Sequence, residues 1–180
     1  MPSIDLIDQV RGELEAAARL DPYTGFEQAY VCLVKLSLNR PDTEDFKYRS
    51  PASKEARRLH TMVAKLLLAQ MKEILSLPQV DELLTLDPPL EAYCSHEKEE
   101  MNEADVQQAI ATIRSKRNSS SEDALESLLL ILKNIRNKRE HGFKSAKGPR
   151  DQEILTPAQV IVVALAKACL TPRQPSRGAE

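Results

Sequence analysis

Tryptophan is absent from this 180-residue chain, and glycine occurs only five times. Apolar residues make up 42% and charged residues 29% of the sequence, which argues against a disordered or fibrous protein and favours a soluble helical one. The three cysteines, Cys32, Cys94 and Cys169, are odd in number and form no C-x-x-C pair. We therefore predict neither a disulfide framework nor a thiolate zinc site.

A long apolar run is missing as well. Asp5 and Asp8 lie where a signal peptide would be apolar, and no uncharged apolar stretch reaches the roughly 20 residues that span a bilayer. Together with cysteines that suit a reducing compartment, this pattern predicts a cytoplasmic protein without a membrane partner.

Helical periodicity dominates what remains. A chain of this length buries roughly 70% of its unfolded surface, so we expect one domain. The apolar spacing predicts an all-α, up-and-down bundle of five to seven helices over residues 1–170. The polar, proline-containing residues 171–180 are expected to form a disordered tail.

Proline punctuates the predicted helices. Asp21-Pro22 is expected to end the first helix, and Ser50-Pro51 to open the longest one, a central helix of about 25 residues that reaches Pro78. Thr156-Pro157 is expected to begin the last helix, which ends near Leu170.

Positive charge is concentrated in one segment. Between Lys133 and Arg150 lie seven of the chain's 25 basic residues but only one of its 27 acidic residues, Glu140. An acidic body with one basic segment favours a local anion site over a surface that coats nucleic acid uniformly.

The basic segment contains Arg136, Asn137 and His141, in the order R-N-x-x-x-H. They follow a strongly apolar helix from about residue 122, which should be buried and should deliver Arg136 at its exit. Asn137 and His141 would share one face of a continuing helix. Arg136 and His141 would point roughly 140° apart, so they converge only if the helix loosens near Gly142 or a second subunit contributes.

The stretch IRNKREHG resembles the signature of HEPN domains, a family of helical bundles in which an Arg is followed by a polar residue and then, four to six residues after the Arg, by a His. Arg136, Asn137 and His141 match this signature, and Gly142 and Lys144 resemble the H-G-x-K continuation of some members. The detailed match covers about a dozen residues, and only the helical layout extends it to the remainder of the chain.

This resemblance implies a metal-independent endoribonuclease that acts as a homodimer, often as a toxin or defence effector with an antitoxin or regulatory protein. Arg136 would stabilise the phosphate, His141 would transfer protons, and Asn137 would orient His141 or bind the phosphate. Lys138, Arg139, Lys144 and Lys147 would guide the RNA backbone. Neither a metal nor a cofactor is implied. Phe143 replaces the Tyr that is adenylylated in some toxins, which puts that form of control in doubt.

The same residues are compatible with two roles other than catalysis. Cations gather at helix carboxyl ends because the dipole favours them there, and His141 would then be an ordinary surface residue. A HEPN-like domain can also be a non-catalytic dimerisation, partner-binding or RNA-binding module.

Two other histidines lie outside the basic segment. His60 is expected to be a partly exposed helix residue without a catalytic role. Cys94 and His96 supply two of the four ligands that a structural zinc requires.

Overall fold

The computed structural model describes residues 4–39, 51–86, 103–119, 121–140 and 148–170. Within these ranges the protein is an all-α helical bundle of eight helices and contains no strand. The helices are α1 (Ile4–Ala17), α2 (Pro22–Leu38), α3 (Pro51–Val63), α4 (Leu68–Leu75), α5 (Pro78–Leu84), α6 (Glu103–Lys116), α7 (Glu122–Glu140) and α8 (Pro149–Leu170). The all-α prediction is confirmed, and the number of helices slightly exceeds the predicted five to seven.

Helices α2 and α8 form the central pair of the bundle. Helix α1 packs on both of them, α5 packs on α8, and α6 pairs with α7 through a 3-10 turn at Arg117–Ser119. Helix α3 lies against both α2 and α7, and so connects the central pair to the α6–α7 pair. Apolar side chains buried between these helices form one core.

Asp21 and Pro22 begin a helix. The Asp21 carboxylate accepts hydrogen bonds from the backbone N–H groups of Tyr23 and Thr24, both at 3.1 Å, and Pro22 occupies the first turn of α2. Helix α1 has already ended at Ala17. The sequence pattern was therefore correct about a boundary here, but the same two residues form the cap of the next helix.

The predicted central helix of about 25 residues is wrong, because the chain breaks between α3 and α4. The backbone N–H of Leu67 donates to Gln70 Oε1 at 2.9 Å, and Gln70 Nε2 donates to the carbonyl of Ala168 at 3.1 Å. Gln70 thus both caps α4 and anchors it to α8. The helical spacing of apolar residues continues through the break, so the sequence pattern gave no sign of it. Leu67, which continues that spacing, and Leu68 are exposed in the structure.

The predicted start of the last helix at Thr156-Pro157 is also wrong. Helix α8 begins at Pro149, and Pro157 is buried in its interior. Proline removes one backbone donor at that turn, and the Thr156 hydroxyl donates to the carbonyl of Gln152 at 2.7 Å. Pro149 occupies the first position of the helix, where proline loses no intrahelical hydrogen bond.

Helix α8 is long and apolar enough to cross a membrane by length and composition, and 67% of its most apolar stretch is buried inside the fold. Buried core helices share these properties. The cytoplasmic location, the lack of a membrane partner and the single domain over residues 1–170 stay predictions, and the predicted tail lies outside the described residues.

Candidate functional site at the exit of helix α7

Arg136 lies near the end of α7, immediately after the buried body of this helix. The predicted burial is confirmed, since the apolar side chains of Ala124, Leu125, Leu128, Leu129, Ile131, Leu132 and Ile135 are all buried. The guanidinium of Arg136 continues inward, and its side chain is only 17% exposed. An arginine is seldom buried to this degree unless its charge is paired.

Two carboxylates and one aromatic ring surround that guanidinium. Arg136 Nη1 donates to Glu55 Oε1 of α3 at 3.1 Å, and Arg136 Nε lies 3.9 Å from Glu27 Oε2 of α2. Arg136 Cζ is 4.8 Å from the centre of the buried Tyr30 ring, a cation–π contact of about 0.5–2 kcal/mol. We call these four side chains the Arg136 cluster. They join α2, α3 and α7 at one point.

The Arg136 cluster carries one positive charge against two negative charges. A phosphate approaching Arg136 would therefore meet a guanidinium already bound to carboxylates. Lys133, the first cation of the basic segment, is also largely buried. Two of the seven charges in that segment thus belong to the interior of the protein, and the surface it offers to an anion is smaller than the sequence indicated.

The remaining predicted site residues divide into two groups. Asn137 is partly buried on α7, and Lys138 and Arg139 belong to the last turn of the same helix. His141, Lys144 and Lys147 lie outside the described residues, together with Gly142 and Phe143. The convergence of Arg136 with His141 therefore stays a prediction.

A second group of ionisable side chains lies on the same α3–α7 contact. His60 Nδ1 is 2.6 Å from Glu126 Oε1, and His60 Nε2 is buried with no hydrogen-bond partner in the described part of the chain. Burial lowers the pKa of His60, while Glu126 opposes that shift and the nearby Lys133 ammonium adds to it. A neutral imidazole that donates from Nδ1 to the carboxylate fits this geometry.

His60 and Glu126 border an open cavity of about 310 Å³, also lined by Thr61, Val63, Ala64, Lys65 and Glu122. His60 is a partly exposed residue of α3, as expected, and its Nδ1 pairs with the Glu126 carboxylate. Within the described ranges, no group of three or more His, Cys, Asp or Glu side chains is arranged to hold a metal ion. Cys94 and His96 lie outside those ranges.

Sequence reasoning missed Glu27, Tyr30, Glu55 and Glu126. Glu55 precedes Arg136 by 81 positions, and neither it nor Glu27 belongs to a motif. The one signal in the sequence was the strong apolar character of α7, which implied that Arg136 would lie at the exit of a buried helix. Nothing in a single sequence indicates which carboxylate fills that role.

Comparison with known proteins identifies no relative of this chain: no family model, curated protein or solved structure matches it.

Proposed function

We propose that this protein is a metal-independent endoribonuclease that cleaves RNA by attack of a ribose 2′-hydroxyl on the adjacent phosphorus. The observation that carries the proposal is the position of Arg136 at the exit of a buried helix, in the order Arg-Asn-x-x-x-His, at the start of a basic segment. Contacts from α2 and α3 hold its guanidinium in a defined place. A fixed guanidinium is the kind of group that stabilises charge developing on a phosphate.

The proposed chemistry requires a group that accepts a proton and one that supplies a proton. His141 fills both roles: it takes the proton from the 2′-hydroxyl as the new O–P bond forms, and the imidazolium so formed gives that proton to the 5′-oxygen as the old O–P bond breaks. Arg136 stabilises the negative charge on the pentavalent phosphorus, and Asn137 orients His141 or binds the same phosphate. Lys138, Arg139, Lys144 and Lys147 contact flanking phosphates without reading sequence.

The proposed site is shared between two subunits. Arg136 and His141 are five positions apart and diverge by roughly 140° on an ideal helix, so Arg136 of one copy would act with His141 of another. In an equal mixture of Arg136→Ala and His141→Ala subunits, half of the dimers contain one subunit of each kind, and each of these has one intact site out of two. Mixing should therefore restore about one quarter of wild-type activity. No recovery, or a monomer by light scattering at micromolar concentration, would contradict this arrangement.

A cleavage assay tests the chemistry. Purified protein is incubated with a labelled RNA and with the same sequence carrying 2′-deoxyribose, and only the RNA should be cut. His141→Ala and Arg136→Ala should abolish cutting. The controls are His96→Ala, outside the motif, and Arg19→Ala, an exposed arginine on the turn after α1. Equal cutting of both substrates, or unchanged cutting by His141→Ala, would remove the mechanism.

A non-catalytic dimerisation, partner-binding or RNA-binding module is the second candidate. The pairing of Arg136 with Glu27 and Glu55 favours it, because those contacts give the arginine a structural role in joining three helices. This candidate predicts no cleavage and a stable dimer or partner complex that survives His141→Ala. An antitoxin or regulatory protein is the partner expected for either candidate, and Phe143 argues against control by adenylylation.

A further inference from the structure

We infer that Glu55 is an inhibitory latch on Arg136, which an RNA phosphate must displace before that arginine can bind it. This inference rests on the proposed function only in taking Arg136 as a phosphate-binding residue. Glu55 acts through Arg136 and is therefore a positioning residue.

The contacts of Arg136 define the latch. Glu55 Oε1 lies within hydrogen-bond distance of Arg136 Nη1, at 3.1 Å, whereas Glu27 Oε2 lies 3.9 Å from Nε. A carboxylate and a phosphate bind a guanidinium through the same N–H groups. Glu55 thus occupies one of the N–H donors through which Arg136 would bind a phosphate.

Electrostatics strengthens the same conclusion. The carboxylates of Glu27 and Glu55 lower the positive potential that a phosphate would meet at Arg136. Release of Glu55 restores part of that potential and frees an N–H donor in one movement. Glu27 and the Tyr30 ring then keep the guanidinium in place, so the arginine remains positioned while its Nη1 edge binds the phosphate.

The position of Glu55 allows this release without unfolding α3. The later turns of α3 are held in the core by the buried side chains of Leu59, Met62 and Val63. His60 on the same turns contacts Glu126 of α7. Glu55 lies before these anchors, and its side chain is 28% exposed. A change of the Glu55 side-chain rotamer is therefore the movement that the latch requires.

The test measures RNA binding as a function of salt for Glu55→Gln, which keeps the shape of the side chain and removes its charge. Glu82→Gln is the matched control, because it makes the same change in net charge at an exposed position of α5. A fluorescently labelled single-stranded RNA is titrated with each full-length variant at several salt concentrations. These run from about 50 to 300 mM, a range in which counterion release changes the affinity measurably. Unfolding curves confirm that each variant is folded.

Glu55→Gln should bind RNA about tenfold more tightly than Glu82→Gln. Its log–log salt slope should be more negative by about 0.7, the increment for one additional phosphate on a single strand. Glu27→Gln should give a smaller gain, since Glu27 is farther from the guanidinium. Arg136→Ala combined with Glu55→Gln should lose the whole gain. Equal slopes for Glu55→Gln and Glu82→Gln, or a gain that persists without Arg136, would overturn the latch.

Cleavage measured on the same preparations separates this inference from the proposed function. RNA cutting without any change of slope would overturn the latch and leave the nuclease intact. The expected change of slope without cutting would support the latch on a binding module and contradict the nuclease.

Discussion

Gly25 permits the close approach of α2 and α8, and replacing it tests the central packing of the fold. A Cβ at this position would lie closer than 3.0 Å to Gln159 Nε2, to Gln159 Cδ and to the carbonyl oxygen of Ala17. Gln159 is buried, and its Nε2 donates to the carbonyl of Ala17 at 2.7 Å and of Leu20 at 3.3 Å. Gly25→Ala therefore requires Gln159 to move away from the end of α1.

The expected magnitude combines three effects. Overpacking costs about 1–3 kcal/mol, and loss of the buried hydrogen bond to Ala17 costs about 1–3 kcal/mol. Alanine recovers about 1 kcal/mol through its higher helix propensity. We expect Gly25→Ala to lower the free energy of unfolding by about 1–5 kcal/mol, measured by chemical denaturation with circular dichroism.

Gly12→Ala is the matched control. Gly12 is exposed on α1, and a Cβ there meets nothing within 4 Å, so this change should stabilise the protein by about 0.5–1 kcal/mol. In a Gln159→Ala background, Gly25→Ala should cost less but still destabilise, because the Ala17 carbonyl remains too close. A Gly25→Ala protein as stable as Gly12→Ala would refute the proposed packing of α2 on α8.

The remaining predictions concern titration and reactivity. The pKa of His60 is lower in the folded protein than in the unfolded chain. As the pH falls, the unfolded chain therefore binds a proton at this residue before the folded protein does, and the free energy of unfolding should decrease below about pH 6.5. His60→Gln should flatten this part of the pH–stability curve, and parallel curves for the two proteins would contradict the shift. Burial, together with a hydrogen bond to Glu13, raises the pKa of the Cys32 thiol to about 12. Iodoacetamide at pH 8 should therefore leave Cys32 unmodified in the native protein and alkylate it in denaturant, and native labelling found by peptide mass spectrometry would refute this assignment.

Local signals in the sequence were sufficient for the helical class and for most of the core. The apolar run of α7 predicted its burial. The break before α4 could not be predicted, since it depends on a contact between Gln70 and Ala168, which are 98 positions apart. The predicted start of the last helix at Pro157 was wrong for a related reason. Burial of α8 overrides the tendency of proline to start a helix.

The sequence alone indicated only some of the residues at the candidate site. The spacing of Arg136, Asn137 and His141 drew attention to the carboxyl end of α7 and raised the question of whether one subunit suffices. The partners of Arg136 come from α2 and α3, and tertiary structure alone reveals them. With them the basic segment is no longer a simple cationic patch, because its arginine is bound to carboxylates.

The chemical nature of the RNA products tests the proposed reaction most directly. Attack by the 2′-hydroxyl displaces the 5′-oxygen, so the wild-type protein should yield fragments with 2′,3′-cyclic phosphate and 5′-hydroxyl ends, and His141→Ala should yield none. Mass spectrometry of the products distinguishes these ends from those of hydrolysis by water. Fragments with 3′-hydroxyl and 5′-phosphate ends, or cyclic phosphate ends formed equally by His141→Ala, would contradict cleavage by Arg136 and His141.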